Sequence, residues 1–564
     1  MIIKDITNKI LDTATPKLLK DWIESLRNIV EELSCDNSKK DEQIARLEAQ
    51  IRRIQGLPSK PQFNSHDRTS ELDKDDEDNS DDNNNDGSSK KQKTSEKRSN
   101  AAKKPRRKKK YLKIDTTTKL TVNPSTIDST YKKKGCRNVI IQDIMFQRNN
   151  IIFELEKYYS PKHRKTVEAD LPKGYENGYF GPYLTSFIIS LYYEGDVTIK
   201  KIYTILSSIG TKISIRQINR IINNSPAELI SEVDSAREAA IDKVNYQQID
   251  DTGAKIFGYS SAYTTVTCNP YFTRLYTTLT KNRRNAVMAL SASTKPLYKM
   301  NQQAILVMFI STKSHKIQQL MEKHIGDKIY NELELSKLLD GREFKKLKPQ
   351  ILYNLKTAML VGAFYDGELG KTGRALVSDD AGQFNNLYDD HLLCWYHEMR
   401  HYKELIPEFL EHQNKLKEFF NEIKSMYKML KLWIKTHKVE LGDYIFKWFN
   451  KLFTTETGYY LLDKLKRKTF NKMDKLLTPL WSNLDLPLTN NESERDIRGK
   501  SIKKKISLFD RSWEGVKARD LYIGLKQTCR KNGVSFYNLI VDRSMKLNQI
   551  PLLSTTIAEA SPQY

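Results

Sequence analysis

No stretch of this sequence stays apolar long enough to cross a bilayer. The longest runs, such as QAILVMFI from Gln303 to Ile310, fall far short of the ~20 residues a spanning helix needs. The opening MIIKDITNKILDTATPKLLKDW is broken by charges, so neither a secretory leader nor a membrane anchor is expected there. Cysteine is scarce: five residues, at 35, 136, 268, 394 and 529, with no CxxC pair. That excludes a disulfide framework and a Cys-rich zinc module, and fits a reducing cytoplasm. Acids are outnumbered, 70 Asp plus Glu against 94 Lys plus Arg, for a formal charge of +24 and a pI near 9.4. Such an excess favours a polyanionic partner, nucleic acid above all. At 564 residues the chain is too long for one ordinary domain.

From Leu26 the positions Val30, Leu33, Asn37, Lys40, Ile44, Leu47, Ile51 and Ile54 recur at alternating four and three, the seam of a coiled coil. A homo-oligomer, most simply a dimer, is expected from residues 1–56. Residues 57–113 are nearly devoid of apolar side chains and split by charge. Glu71–Asp86 carries nine acids and one Lys, while Lys90–Lys113 carries thirteen bases and one acid, the composition of a disordered linker. Residues 114–174 lean towards β and suggest a small β module. Over 175–228 an apolar helix follows Gly181-Pro182, then come Thr198–Ile209, a break at Gly210, and a short helix opening at Ser214. This is a helix-turn-helix pattern with Thr198 and Ser214 as N-caps. It would present Arg216, Gln217, Asn219 and Arg220 to bases or phosphates.

Three strands are expected next, Tyr246–Asp250, Tyr263–Cys268 and Thr273–Leu279, followed by a helix over NRRNAVMAL. A short buried strand, Ala375–Ser378, ends in Asp379-Asp380, and LTNNESERDIRGK opens a helix bearing Glu492 and Glu494. A meander whose first strand ends in Asp, a later strand ending in Asp and a helix presenting an acid is the arrangement of ribonuclease H-like nucleotidyl transferases. Phosphodiester cleavage and joining call for two divalent ions about 4 Å apart, and Mg²⁺ or Mn²⁺ takes carboxylate oxygens. Within each doublet geometry selects one acid. Neighbours on a strand face opposite sides, and Glu492 and Glu494 lie about 200° apart on a helix.

The segments FGPYLTSFIISLYYEG, IDDTGAK, NRRNAVMAL, LVSDDAGQF, CWYHEMRHYKEL, LTNNESERDIR and TCRKNGVSFYNLIVDR together resemble, in order, the insertion sequence sixty-six family of bacterial transposases over residues 175–545. The resemblance implies catalytic, metal-holding roles for Asp250 of Asp250-Asp251-Thr252, for Asp379, and for Glu494 of the Asn490-Asn491-x-x-Glu494 motif. It implies a magnesium enzyme that cleaves element-end DNA and joins it to a target, acting at the bacterial nucleoid. Asp251 stands where the family usually has Glu, and the family's short Cys-containing zinc motif is missing.

The expected fold is therefore α/β: a ribonuclease H-like core in two parts (229–402 and 486–545) around a helical insertion (403–485), with a tail at 546–564. Arg495, Arg498, Lys500 and Lys503, Lys504 and Lys505 would neutralise phosphates beside the third acid. One rival motif is present. His397-Glu398-Met399-Arg400-His401 fits the HExxH zinc-protease pattern, but Arg400 crowds both His and Pro407 breaks the helix soon after. A structural role for His397, or a contact with DNA or a carboxylate, is the better expectation. Two further alternatives are a non-catalytic DNA-binding or assembly protein and a nuclease that hydrolyses without joining.

Overall fold

In a computed structural model of the chain, residues 117, 118, 120 and 146–561 are described, apart from 177, 178, 292, 294, 371, 372 and 483. The expected coiled coil and charged linker lie outside the described residues. All the described elements from Lys157 onward belong to one compact unit.

In the segment expected to hold a β module, an antiparallel hairpin forms from β1 (Lys157–Ser160) and β2 (Lys165–Glu168). Three short helices follow: α1 (Pro182–Tyr193), α2 (Ile199–Ser208) and α3 (Ile215–Ile222). The Thr198 and Ser214 hydroxyls accept hydrogen bonds from the Lys201 and Gln217 amides, satisfying donors that the first turn of a helix leaves free. Gly210 turns the chain between α2 and α3 at φ +77°, a conformation open to a residue without Cβ. Ile188, Ile202, Leu206, Ile218 and Ile222 close the small core these helices share.

Helix α4 (Ala227–Val244) ends on Asn245 in the left-handed region and feeds a five-stranded mixed sheet. Its strands are β3 (Tyr246–Ala254), β4 (Ala262–Asn269), β5 (Phe272–Thr278), β8 (Ala375–Ser378) and β9 (Asp390–Leu393), in the order β5-β4-β3-β8-β9. The first three form an antiparallel meander, while β8 and β9 run parallel to β3 and to each other. Between β5 and β8 lie α5 (Arg283–Leu290), the short pair β6 (Tyr298–Lys299) and β7 (Ile329–Tyr330), and helices α6 (Gln302–Thr312), α7 (His315–Glu322), α8 (Glu332–Leu339) and α9 (Pro349–Tyr365). These helices bury one face of the sheet, through Ile249 and Leu376.

The opposite face, through Tyr246, Ala375, Val377 and Leu392, is covered by α10 (Trp395–Lys403), α11 (Leu410–Thr436), α12 (Val439–Thr454), α13 (Tyr460–Phe470) and the short α14 (Met473–Leu476). After α15 (Pro479–Ser482), helices α16 (Asn491–Ser507) and α17 (Trp513–Lys531) pack on β3, β4 and β5, and α18 (Phe536–Met545) and α19 (Leu553–Glu559) finish the unit. Gly524 lets α17 approach β5 closely, since a Cβ there would stand 2.9 Å from the Thr273 carbonyl oxygen. No helix among the described residues is long and apolar enough to cross a membrane.

One strand boundary differs from expectation. Asp250 does not end β3, which continues paired with β4 as far as Ala254. Its pairing with β8 does stop at Gln248. Asp250 therefore sits where one edge of β3 is released while the other stays clamped.

Candidate active site

Register places the first two acids. Tyr246, Gln247 and Gln248 of β3 lie beside Ala375, Leu376 and Val377 of β8, so extending that register would set Asp250 level with Asp379, just past the end of the ladder. Alternation assigns their faces. Ile249 and Leu376 enter the core under α5–α9, whereas Val377 packs under the helical insertion and Gln248 donates to Glu492 of α16 at 3.4 Å. Alternation puts Asp250, two residues beyond Gln248, on that second face, and Asp379 follows directly after β8, two residues beyond Val377. Asp251 takes the first face, where Lys281 (2.7 Å) and the Gln383 amide (2.7 Å) hold its carboxylate.

The third acid is brought in by an asparagine. Fully buried Asn490, just before α16, donates from Nδ2 to the carbonyl of Ile249 at 2.9 Å, while its backbone N–H points at the Cys394 sulfur at 3.3 Å. The start of α16 is thus pinned to the residue preceding Asp250, and Glu494 lies one turn on. Glu492 and Glu494 diverge as helix geometry requires. Glu492 turns to Gln248, whereas Glu494 turns to His397, whose Nε2 is 3.7 Å from its carboxylate. Asn491 opens α16 half-buried.

Negative charge accumulates here. Burial raises the Asp250 carboxyl to about 7, the Asp251 N–H bonded to it at 2.7 Å works against this, and Asp379, Glu494 and Asp251 raise it further. Burial also raises Asp379, against the Ala381 N–H and His397. Neither Asp250 nor Asp379 has an ion-pair partner among the described residues, and Glu494 has only His397. As they stand, no three His, Cys, Asp or Glu side chains among the described residues are close enough to enclose a metal ion. The donor set still fits a hard divalent cation: carboxylate oxygens, same-sign coupling, and a half-buried acid without an ion-pair partner among the described residues.

The sign of the resulting pH effect follows from linkage. Without divalent metal, folded Asp250 keeps its proton to about pH 7, whereas the unfolded chain releases it near pH ~4. Across that window the unfolded state binds fewer protons, so stability should fall as pH rises from about 4 to about 7. Asp250→Asn should remove this contribution. Denaturant midpoints of both proteins at several pH values check it, and an identical slope in the variant would argue against a proton-retaining Asp250.

The HExxH pattern does not form a zinc site. Glu398 is buried and bound to Lys472 (3.0 Å) and the Thr469 hydroxyl (2.5 Å), His397 faces Glu494, and exposed His401 meets Glu404 at 4.0 Å. Arg400 is exposed.

The basic residues of α16 separate into two groups. Lys500 and Lys503 correct the expectation of a phosphate-facing row, because both are buried. Lys500 pairs with Asp520 (2.8 Å) and Asp510 (3.9 Å), while Lys503 bonds the Tyr192 carbonyl and lies 3.5 Å from the Tyr192 ring centroid. Helix periodicity is the cause: the face that packs on β3 and β4 takes Asp496, Lys500 and Lys503 inward together. Arg495, Arg498 and Lys505 are exposed, and half-buried Lys504 reaches the Gly253 carbonyl at 2.6 Å. In α3, Arg216, Asn219 and Arg220 are exposed and Gln217 half-buried, and all four line one groove with Ser214 and Asn223.

Some neighbours of the site carried no sequence signal. Lys281 and Gln383 on Asp251, and Lys472 bridging Asp380 (2.7 Å) and Glu398 (3.0 Å), are lone polar residues in loops or at helix junctions, where no periodicity marks them. Only the fold brings them together.

The profile of the Transposase IS66 family matches residues 349–518, a span that includes Asp379 and Glu494. A relative from Sinorhizobium fredii (strain NBRC 101917 / NGR234), named uncharacterized protein y4jO, is 31% identical over 299 residues, which cover 53% of this chain and 91% of the relative. No solved structure matches the chain. A family profile over the segment bearing two of the three acids, together with a relative aligned over nearly its whole length, establishes that this chain belongs to the IS66 family of transposases.

Proposed function

We propose that the chain is a DDE-type DNA transposase whose Asp250, Asp379 and Glu494 together hold two Mg²⁺ or Mn²⁺ ions. The observation that carries this reading is the register that sets Asp250 and Asp379 just past the last paired residues of β3 and β8, with the Asp250 carboxyl raised by burial and by the negative charge of Asp379 and Glu494. The strand order β5-β4-β3-β8-β9, an antiparallel meander extended by parallel strands, supports a ribonuclease H-like core. The bound ions would supply the positive charge that stabilises the attacking and leaving oxygens of an in-line displacement. Asp250 and Asp379 fix one side of that site from adjacent strands. Glu494 approaches across it from a helix anchored by Asn490. First water cuts at the element end; the freed 3′-hydroxyl then attacks target DNA.

Double-stranded DNA, both element ends and target, is the partner, and α2–α3 serves as a helix-turn-helix with Arg216, Gln217, Asn219 and Arg220 meeting the duplex. Dimerisation through the N-terminal coiled coil would pair two element ends. Arg498→Ala should weaken duplex binding and lower the salt-dependence slope by about 1, as should Arg216→Ala and Arg220→Ala. A slope unchanged in the Arg498 variant would remove that residue from the phosphate contacts.

The test of the whole reading is in vitro joining of candidate element-end DNA with Mg²⁺, wild type against Glu494→Gln. The variant should keep DNA binding and lose joined product. Cleavage without joining by the wild type would point to a hydrolytic nuclease, and binding without metal-dependent cutting to an assembly protein.

A further inference from the structure

We propose that the β3–β4 hairpin tip and the residues following α16 form a stacking platform for unpaired bases of a DNA strand, an inference that rests on the DNA-processing reading above. Ile256–Tyr259 is a tight turn closed by the Tyr259 N–H on the Ile256 carbonyl (3.2 Å), with Gly258 at φ +83° in the position that demands a positive angle. The turn projects Phe257 outwards, 68% exposed. Phe509 stacks on it at 5.7 Å between centroids and 29° between planes. Beside them Trp513 meets Tyr259 edge-on at 5.9 Å, its indole N–H bonded to the phenol oxygen at 3.2 Å. Arg511 lies 6.0 Å from the Phe509 ring.

A lone exposed aromatic means little, but two exposed rings, Phe257 and Tyr259, each backed by a half-buried one, Phe509 and Trp513, form an organised surface at a cationic edge. It is rigidly held. Phe257 N–H donates to the Asp510 carbonyl (2.8 Å), Asp510 N–H donates to the Lys255 carbonyl (3.0 Å), and the buried Asp510 carboxylate is tied to Arg519 (2.9 Å). The chain enters through a strained turn. Leu508, at φ +63° and ψ −63°, is the centre of a γ-turn closed by the Phe509 N–H on the Ser507 carbonyl (2.8 Å), a conformation costly for a residue with a Cβ. That strain is what delivers Phe509 to the hairpin.

Charge selects the occupant. Within residues 504–517, Lys505, Arg511 and Lys517 are exposed and Glu514 is the one exposed acid. Aromatic faces beside cations suit single-stranded nucleic acid, because every base offers a π-face and the backbone is anionic. Continuity with the acids fits as well. At ~3.3 Å per strand residue and ~1.5 Å per helix residue, the platform lies roughly 20 Å from Asp250 along β3 and from Glu494 along α16. That is about six nucleotides of stacked strand.

The test uses the full chain without divalent metal and a single-stranded oligothymidylate carrying one 2-aminopurine, whose fluorescence falls on stacking. Phe257→Ala and Phe509→Ala should each weaken binding at least about fivefold, the low end of one base–aromatic stack, and abolish the quench. Phe257→Tyr should restore both. Unchanged affinity and quench would overturn the proposal. So would variants that alter only the self-association of the chain in sedimentation, since the patch would then join copies of the protein. Because binding is read without metal, and joining is read separately with Asp250→Asn, failure of this platform and failure of the transposase reading give different results.

Discussion

Asp250→Asn is expected to lower the rate of strand joining by at least about a thousandfold while leaving duplex binding in place. The substitution keeps shape, and the new amide oxygen can still accept the Asp251 N–H that Asp250 accepts at 2.7 Å. What it removes is one negative charge from the proposed ion site, where metal charge stabilisation is worth several kcal/mol, and ~4 kcal/mol corresponds to a thousandfold in rate. The same change should make the metal-free protein more stable above about pH 7, because an ionised acid held among Asp379, Glu494 and Asp251 is replaced by a neutral group. A protein that is at once more stable and inert is the signature of an acid kept for chemistry rather than for folding. Retained joining, or unfolding of the variant, would assign Asp250 a structural part.

Asp520→Ala should have the opposite character, a large loss of stability. Asp520 accepts from the buried Lys500 ammonium at 2.8 Å and from the Thr277 amide and hydroxyl at 2.8 and 2.9 Å, joining α16, α17 and β5. Asp510, 3.9 Å from Lys500 and shared with Arg519, cannot replace it. Breaking a buried pair by removing one partner typically costs about 3–5 kcal/mol, since the charge left behind is poorly solvated and here keeps only the more distant Asp510. Chemical denaturation reads this directly. A cost below about 1 kcal/mol would show that water reaches Lys500, and would reopen a phosphate role for it.

Legibility in the sequence followed the range of the interaction. Local signals were readable: the Thr198 and Ser214 caps, the Gly210 break, and strand Ala375–Ser378, where a short apolar run ends in acids. That the two acids of a doublet face different ways was also readable, as Asp251 on Lys281 and Glu492 on Gln248 show, because alternation along a strand and rotation along a helix are fixed geometry. Inward and outward on α16 was not. NESERDIRGKSIKKKIS is polar all round, so its pattern does not reveal that Lys500 and Lys503 are swallowed by partners more than three hundred residues away, as Tyr192 is from Lys503, or on another helix, as Asp520 is. The end of β3 was misplaced for a related reason. IDDTGA has little β character of its own, and it is the β4 ladder from Asp250↔Val266 to Ala254↔Ala262 that keeps it extended.

Whether Asp250, Asp379 and Glu494 share one metal site can be mapped directly with iron. With Fe²⁺ substituted for Mg²⁺ on the DNA-bound protein, ascorbate and peroxide release hydroxyl radicals that cut the chain beside the ion. Cuts near residues 250, 379 and 494, suppressed by excess Mg²⁺ and lost in Asp379→Ala, are the predicted result. Cleavage confined to other positions, or a pattern indifferent to Mg²⁺ and to the substitution, would contradict it.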